Sequence, residues 1–162
     1  MLSHYCIFGA YFGKGDYKNA QLYLQKIISS TYHHLMNNFQ DRMRIINLIL
    51  QYEQGEYVHL SYILRSTYRN LNKRKKINRS EAALIEFFKK VIKLTTSAQH
   101  ISALKELRQM LLPLTKQIFE KNFFADFPLM EWIDSKLQKK KLAVVMDEYY
   151  KKAKSNRSGT CE

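Results

Sequence analysis

Apolar residues recur at helical spacing along almost the whole chain, and no segment sustains the period of two that a half-buried strand requires. Tyr17, Ala20, Leu24, Ile27 and Ile28 fall on one face of an α-helix, and Tyr57, Leu60, Leu64, Thr67, Tyr68 and Leu71 repeat the pattern. Ala82, Ile85, Phe88 and Ile92 do so again, as do Ile101, Leu104, Leu107, Leu111, Leu114 and Ile118. A chain patterned this way buries its apolar stripes by packing helix on helix, which predicts an all-α fold. Glycine (5) and proline (2) are too scarce for the frequent turns of a sheet-rich fold.

The breaks are short, which predicts antiparallel helix pairs, about seven or eight helices in all. Gly13-Lys14-Gly15-Asp16 ends the first helix and places Asp16 to cap the second, and Gln54-Gly55-Glu56 ends the third. Ser80 is the expected cap of the fifth helix, Ser97 or Ser102 the start of the sixth, and Phe127-Pro128 the opening of another. Pro113 falls inside a helical pattern and predicts a break near Leu112. Residues 1–154 are expected to form one helical domain, with two hairpins over 1–72 and a helical capping region over 78–154. The polar stretch 155–162 is expected to be a flexible tail.

Phe12-Gly13-Lys14-Gly15-Asp16-Tyr17, with Ala20, Tyr23 and Leu24, aligns with Tyr52-Glu53-Gln54-Gly55-Glu56-Tyr57, with Leu60, Ile63 and Leu64, at an offset of 40 residues. Both copies read as a helix, a turning glycine, an acid near the next N-terminus and an aromatic that packs back across the hairpin. The stretch from Ala10 through Gly13, Asp16, Tyr17 and Ala20 to Lys26 resembles the middle of a tetratricopeptide repeat. The second copy, with Ser61 to Arg69, is similar to C-terminal parts of large, uncharacterised bacterial tetratricopeptide proteins, as is, more faintly, Phe123 to Lys136 with Trp132. The resemblance implies a right-handed superhelical stack of helix hairpins, a concave groove lined by the first helix of each pair, and a non-catalytic scaffold role in holding a protein or peptide. The chain departs from the family in its longer period, in the missing proline after the second helix, near Tyr32, and in Asn47 and Gln51, which stand where apolar residues belong.

Lys and Arg number 27 against 14 Asp and Glu, a net charge of +13 with a pI near 9.7. Such a field attracts polyanions and also keeps a helical stack soluble. Cys6 and Cys161 form no CxxC pair or disulfide framework, no apolar run approaches the ~20 residues of a membrane span, and the first residues make a poor signal peptide, so the chain is expected to be cytoplasmic.

Catalytic and metal motifs are missing. His4, His33, His34, His59 and His100 include no HExxH spacing, and the adjacent His33 and His34 point to different sides of a helix. There is no GxSxG, P-loop or dinucleotide fingerprint, so neither an enzyme nor a cofactor is expected.

Three features remain as candidate contacts. Arg44, Asn47 and Gln51 form a polar stripe on the third helix, readable as a contact surface for a partner in the groove or as plain solvent exposure. No acid stands between Glu56 and Glu81, while Arg65, Arg69, Lys73, Arg74, Lys75, Lys76 and Arg79 accumulate. A second basic cluster comprises Lys136, Lys139, Lys140 and Lys141, followed by Lys151, Lys152 and Lys154. If both clusters share a face they form a footprint for a phosphate backbone, so nucleic-acid binding is the alternative to protein binding. The exposed end of a short stack also makes a homodimer possible.

Overall fold

A computed structural model describes residues 2–30, 37–73 and 77–158. The described residues contain no strand; they form nine α-helices and two short 3-10 segments. The helices are α1 (Leu2–Lys14), α2 (Tyr17–Ile28), α3 (Asn37–Gln54), α4 (Tyr57–Leu71), α5 (Arg79–Val91), α6 (Ser97–Leu111), α7 (Lys121–Asp126), α8 (Leu129–Gln138) and α9 (Leu142–Ser158). The 3-10 segments, Leu112–Lys116 and Ile118–Glu120, lie between α6 and α7. The sequence period alone yields fewer elements because Leu114 and Ile118 continue the apolar period of α6, whereas Pro113 ends that helix and the chain passes through two 3-10 segments instead.

Both aligned glycines sit at the ends of helices in the left-handed region, Gly15 at φ 80° and Gly55 at φ 72°. At the first, the Gly15 N–H donates to the Phe12 carbonyl (3.0 Å) and the Asp16 N–H to the Tyr11 carbonyl (2.9 Å). At the second, Gly55 donates to Tyr52 (3.2 Å) and Glu56 to Gln51 (3.3 Å). These are paired Schellman closures, in which glycine avoids the Cβ clash of the left-handed conformation. The aromatics then pack back as the pattern predicts, Phe12 on Tyr17 (5.4 Å between ring centroids) and Tyr52 on Tyr57 (6.3 Å). Asp16 caps α2 by accepting the Asn19 N–H (3.2 Å), and hydrogen bonds from the Asn19 side chain and backbone hold its carboxyl below the usual range.

A third turn has the same form with a different residue. Lys139 donates to Lys136 (3.3 Å) and Lys140 to Ser135 (2.9 Å), with Lys139 itself at φ 55°. A side chain in this conformation costs roughly 1–2 kcal/mol, partly offset by the greater freedom glycine loses on folding. Lys139→Gly is therefore expected to raise the unfolding free energy by about 1 kcal/mol in a urea melt.

Several expected boundaries shift by small amounts for local reasons. Asn78, not Ser80, precedes α5, and its N–H donates to Glu81 (3.0 Å). The next two amides, Arg79 and Ser80, donate to the buried Glu120 carboxylate (2.9 and 3.2 Å), so a distant acid closes this helix end. The Ser80 hydroxyl, inside the helix, is buried without a hydrogen-bond partner among the described residues. Ser97 does open α6, with Thr96 as its cap and Gln99 completing a capping box. Pro113 ends α6 at Leu111 as expected. Pro128 lies just before α8, and its carbonyl accepts the Trp132 N–H (2.9 Å). Helix α9 continues past Lys154 to Ser158, and residues 159–162, with Cys161, fall outside the described residues.

The helices form one core. α1 packs on α2, α2 on α3 and α3 on α4; α5 touches both α3 and α4; α6 joins α5 to α8; and α9 packs on α8 and returns to α1. Phe127 sits edge-on to Phe12 (5.3 Å) and Trp132 edge-on to Tyr52 (6.0 Å), while Asp126 pairs with Arg42. The side of the first two hairpins formed by α1 and α3 is thus covered by the chain's own C-terminal region.

Arg108 on α6, Asp134 on α8 and Tyr149 on α9 clip three helices together. Arg108 Nε donates to Asp134 Oδ1 (2.6 Å), and the Tyr149 hydroxyl donates to Asp134 Oδ2. Burial pushes the Asp134 carboxyl up, but the hydrogen bonds from Arg108 and Tyr149 outweigh it and the net direction is down. Burial, followed by the bond to Asp134, raises the Tyr149 hydroxyl from 10.0 to about 12. A lowered carboxyl contributes stability above its ordinary pKa of 3.8, lost as pH falls below it. A raised phenol contributes stability below pH 10.0, lost as pH rises towards about 12. Tyr149→Phe is expected to flatten the alkaline limb of a stability–pH profile while leaving an acid limb from the Arg108–Asp134 pair.

Candidate functional site

The largest concentration of chemistry lies where the Gly15 and Gly55 turns meet α8. Glu53, in the last turn of α3, has its side chain only 3% exposed and accepts three donors, one from α2 and two from α8. Trp132 Nε1 donates to Oε1 (2.8 Å), while the Tyr17 hydroxyl and Lys136 Nζ both donate to Oε2 (2.7 Å each). Burial, then the Glu53 hydrogen bond, pushes the Tyr17 hydroxyl well above its ordinary value. A carboxylate at a helix C-terminus opposes the macrodipole, so this position demands compensating donors. That misfit is the signal a sequence reader can use, since the aligned position in the first copy is Gly13.

Above this network opens a cavity of about 430 Å³. Phe12, Trp132 and Leu142 give it an apolar floor, Tyr17 and Glu53 a polar wall, and Lys136, Lys139, Lys140 and Lys141 a cationic rim. Lys140 pairs with Glu148 (2.6 Å), while Lys139 and Lys141 have no ion-pair partner among the described residues. One half of the second basic cluster is thus gathered by the tight turn between α8 and α9.

The other basic cluster lies elsewhere. Arg65 and Arg69 are exposed on α4, Lys73 follows its end, and Arg79 opens α5 on the exposed side. Arg74, Lys75 and Lys76 fall outside the described residues, as do Tyr32, His33 and His34. α4 begins at the Gly55 turn, beside Glu53, and its 15 residues carry Lys73 about 22 Å along the helix axis from that end. Arg69 and Lys73 therefore lie towards the far end of α4 from Glu53, the residue that shares a cavity with Lys139 to Lys141.

The polar stripe divides. Gln51 (2% exposed) and Asn47 (5% exposed) are buried, correcting the expectation of an open contact surface at these positions. They form an amide link to α2: Gln51 Nε2 donates to Gln21 Oε1 (2.7 Å), and Gln21 Nε2 to Asn47 Oδ1 (3.2 Å). This satisfied network is why polar residues stand at positions where apolar ones were expected. Arg44 is part-exposed and donates to Asp41 (2.7 Å). Arg44 and Asn47 reach a groove of about 280 Å³ between α2 and α4, walled by Ile28, His59, Tyr62 and Ile63. The groove lies on the second-helix side of the hairpins, because Phe127 and Trp132 pack against the first-helix side.

Among the described residues no group of three or more His, Cys, Asp or Glu side chains is placed to hold a metal ion, and no helix is long and apolar enough to cross a membrane. His100 lies between Tyr52 and Tyr57, with Nδ1 3.4 Å from the Tyr52 hydroxyl, and His59 is exposed at the α2–α4 groove. Compared with known protein families, curated proteins and solved structures, the chain matches none.

Proposed function

We propose that the chain is a non-catalytic, tetratricopeptide-like interaction module, a scaffold that holds an acidic amphipathic segment of a protein partner in the groove between α2 and α4. In this reading α1 to α4 are two hairpins of a right-handed superhelical stack, and the region from residue 78 onwards ends the stack. The observation that carries it is the juxtaposition of exposed apolar side chains with a cation at the groove. Tyr62, 72% exposed on α4, lines the groove together with Ile28 and Ile63. Arg44 uses Nη1 for Asp41, leaving the rest of its fork for a partner carboxylate. An amphipathic helix in a groove is recognised by such spaced apolar anchors, and the net charge of +13 favours an acidic one.

The test is selection of binding peptides from a random displayed library, followed by titration against the native chain and an Arg44→Glu, Tyr62→Ala variant. Selected sequences are expected to combine carboxylates with apolar residues at helical spacing and to lose at least tenfold in affinity for the variant. Peptides that bind both chains equally overturn the assignment. The nucleic-acid alternative rests on Arg65, Arg69, Lys73 and Arg79, and the position of Arg69 and Lys73 towards the far end of α4 from Glu53 weighs against a continuous backbone track. Retention on heparin that falls steeply with salt and is abolished by Arg69→Ala with Lys73→Ala would move the assignment to it.

A further inference from the structure

The lysine-rimmed cavity at the turn between α8 and α9 plays no part in the α2–α4 groove, and its chemistry points to a different ligand. Its volume of about 430 Å³ lies within the ~300–1,000 Å³ of small-molecule pockets. Four lysines line it, and two carboxylates, Glu53 and Glu148, each neutralise one of them. Two positive charges remain, on Lys139 and Lys141, both lining the cavity. The floor beneath them is apolar, formed by Phe12, Trp132 and Leu142. We infer that this cavity binds a small organic phosphomonoester, its dianionic phosphate held by Lys139 and Lys141 and its organic part lying against Phe12, Tyr17 and Leu142.

Two further observations support the assignment independently of charge. Lys139 adopts the left-handed conformation in a Schellman turn whose counterparts in this chain are both glycine. The fold retains a lysine where glycine is the less strained choice, and that conformation sets the side chain on the cavity rim; backbone strain of this kind is kept where a side chain is needed. In addition, α9 has no acid in its first turn, and the Leu142 and Ala143 amides have no acceptor among the described residues. Of the two, Leu142 itself lines the cavity.

Calorimetric titration of the full chain with phenyl phosphate tests the assignment, with benzyl alcohol as the uncharged control. Phenyl phosphate is expected to bind and benzyl alcohol not to, and affinity is expected to rise with pH through about 6 as the second phosphate proton leaves. Lys139→Gly with Lys141→Ala is expected to weaken binding at least tenfold; this pair removes charge at exposed positions and replaces a strained residue, so the fold survives. Arg69→Ala with Lys73→Ala, at the other end of α4, is expected to leave binding unchanged. Vesicles containing phosphatidic acid distinguish a lipid headgroup from a soluble ligand. Absence of phenyl phosphate binding overturns the inference, as does vesicle binding alone, or equal loss in both double variants. None of these outcomes bears on the Arg44 and Tyr62 variant, so the groove and the cavity stand or fall separately.

Discussion

Glu53→Ala is expected to lower the unfolding free energy by about 3 kcal/mol and the melting temperature by roughly 6–12 °C. The substitution leaves Trp132 Nε1, the Tyr17 hydroxyl and Lys136 Nζ without their shared acceptor. The indole and phenol are buried or half-buried, and a buried donor deprived of its partner costs about 1–3 kcal/mol. Lys136 is about a third exposed and recovers part of its loss by turning to water, so the total stays below that of a fully enclosed ion pair. Against a total stability on the order of 5–15 kcal/mol, this is a large share from one surface-adjacent helix end. Glu53→Gln sharpens the test. The amide keeps one acceptor but presents an N–H group either to Trp132 or to Tyr17 and Lys136, so a loss of about 1–2 kcal/mol is expected. A urea melt in which Glu53→Gln matches the native chain would show that the carboxylate charge contributes nothing, and equality for Glu53→Ala would remove the network from any account of stability.

The reach of the sequence is clearest at the two glycine turns. Helical periodicity, a glycine with no side-chain clash and a following acid are local signals, and each acts over fewer than ten residues. The turns at Gly15 and Gly55, the cap at Asp16, the opening of α6 at Ser97 and the break at Pro113 therefore appear where the chain's own chemistry puts them. The α5 cap fails for the complementary reason. Glu120, 40 residues downstream of Ser80, supplies the acceptor, and no local pattern reports a residue that arrives from another element. Asn47 and Gln51 follow the same logic: side-chain amides on one helix look solvent-facing until Gln21 on the preceding helix is seen to satisfy them. The basic residues are legible as charge but not as a site. Lys139 to Lys141 become a rim only because a left-handed turn reverses the chain there, and Arg69 and Lys73 lie towards the far end of α4 from Glu53, which shares that cavity.

Trp132→Ala is expected to cost about 3–5 kcal/mol, the range for deleting a buried aromatic side chain. Its ring is 1% exposed and meets Tyr52 at 6.0 Å and Phe87 at 6.5 Å, so one side chain from α8 joins α3 to α5. The loss should also have a direction. With the indole gone, α8 loses its ring contacts to α3 and α5 and keeps its packing on α6 through buried side chains such as Ile133, together with the Arg108–Asp134–Tyr149 clip. Hydrogen exchange is therefore expected to accelerate first in α8 and α9, with α2 and the core of α3 retaining protection. A double-mutant cycle with Glu53→Ala separates packing from hydrogen bonding. Because both single changes break the same indole–carboxylate bond, the double variant should be about 1 kcal/mol more stable than additivity predicts. Strict additivity would mean that ring packing alone docks α8. Uniform exchange across all helices would mean that α8 and α9 do not form a separable cover over α1 and α3.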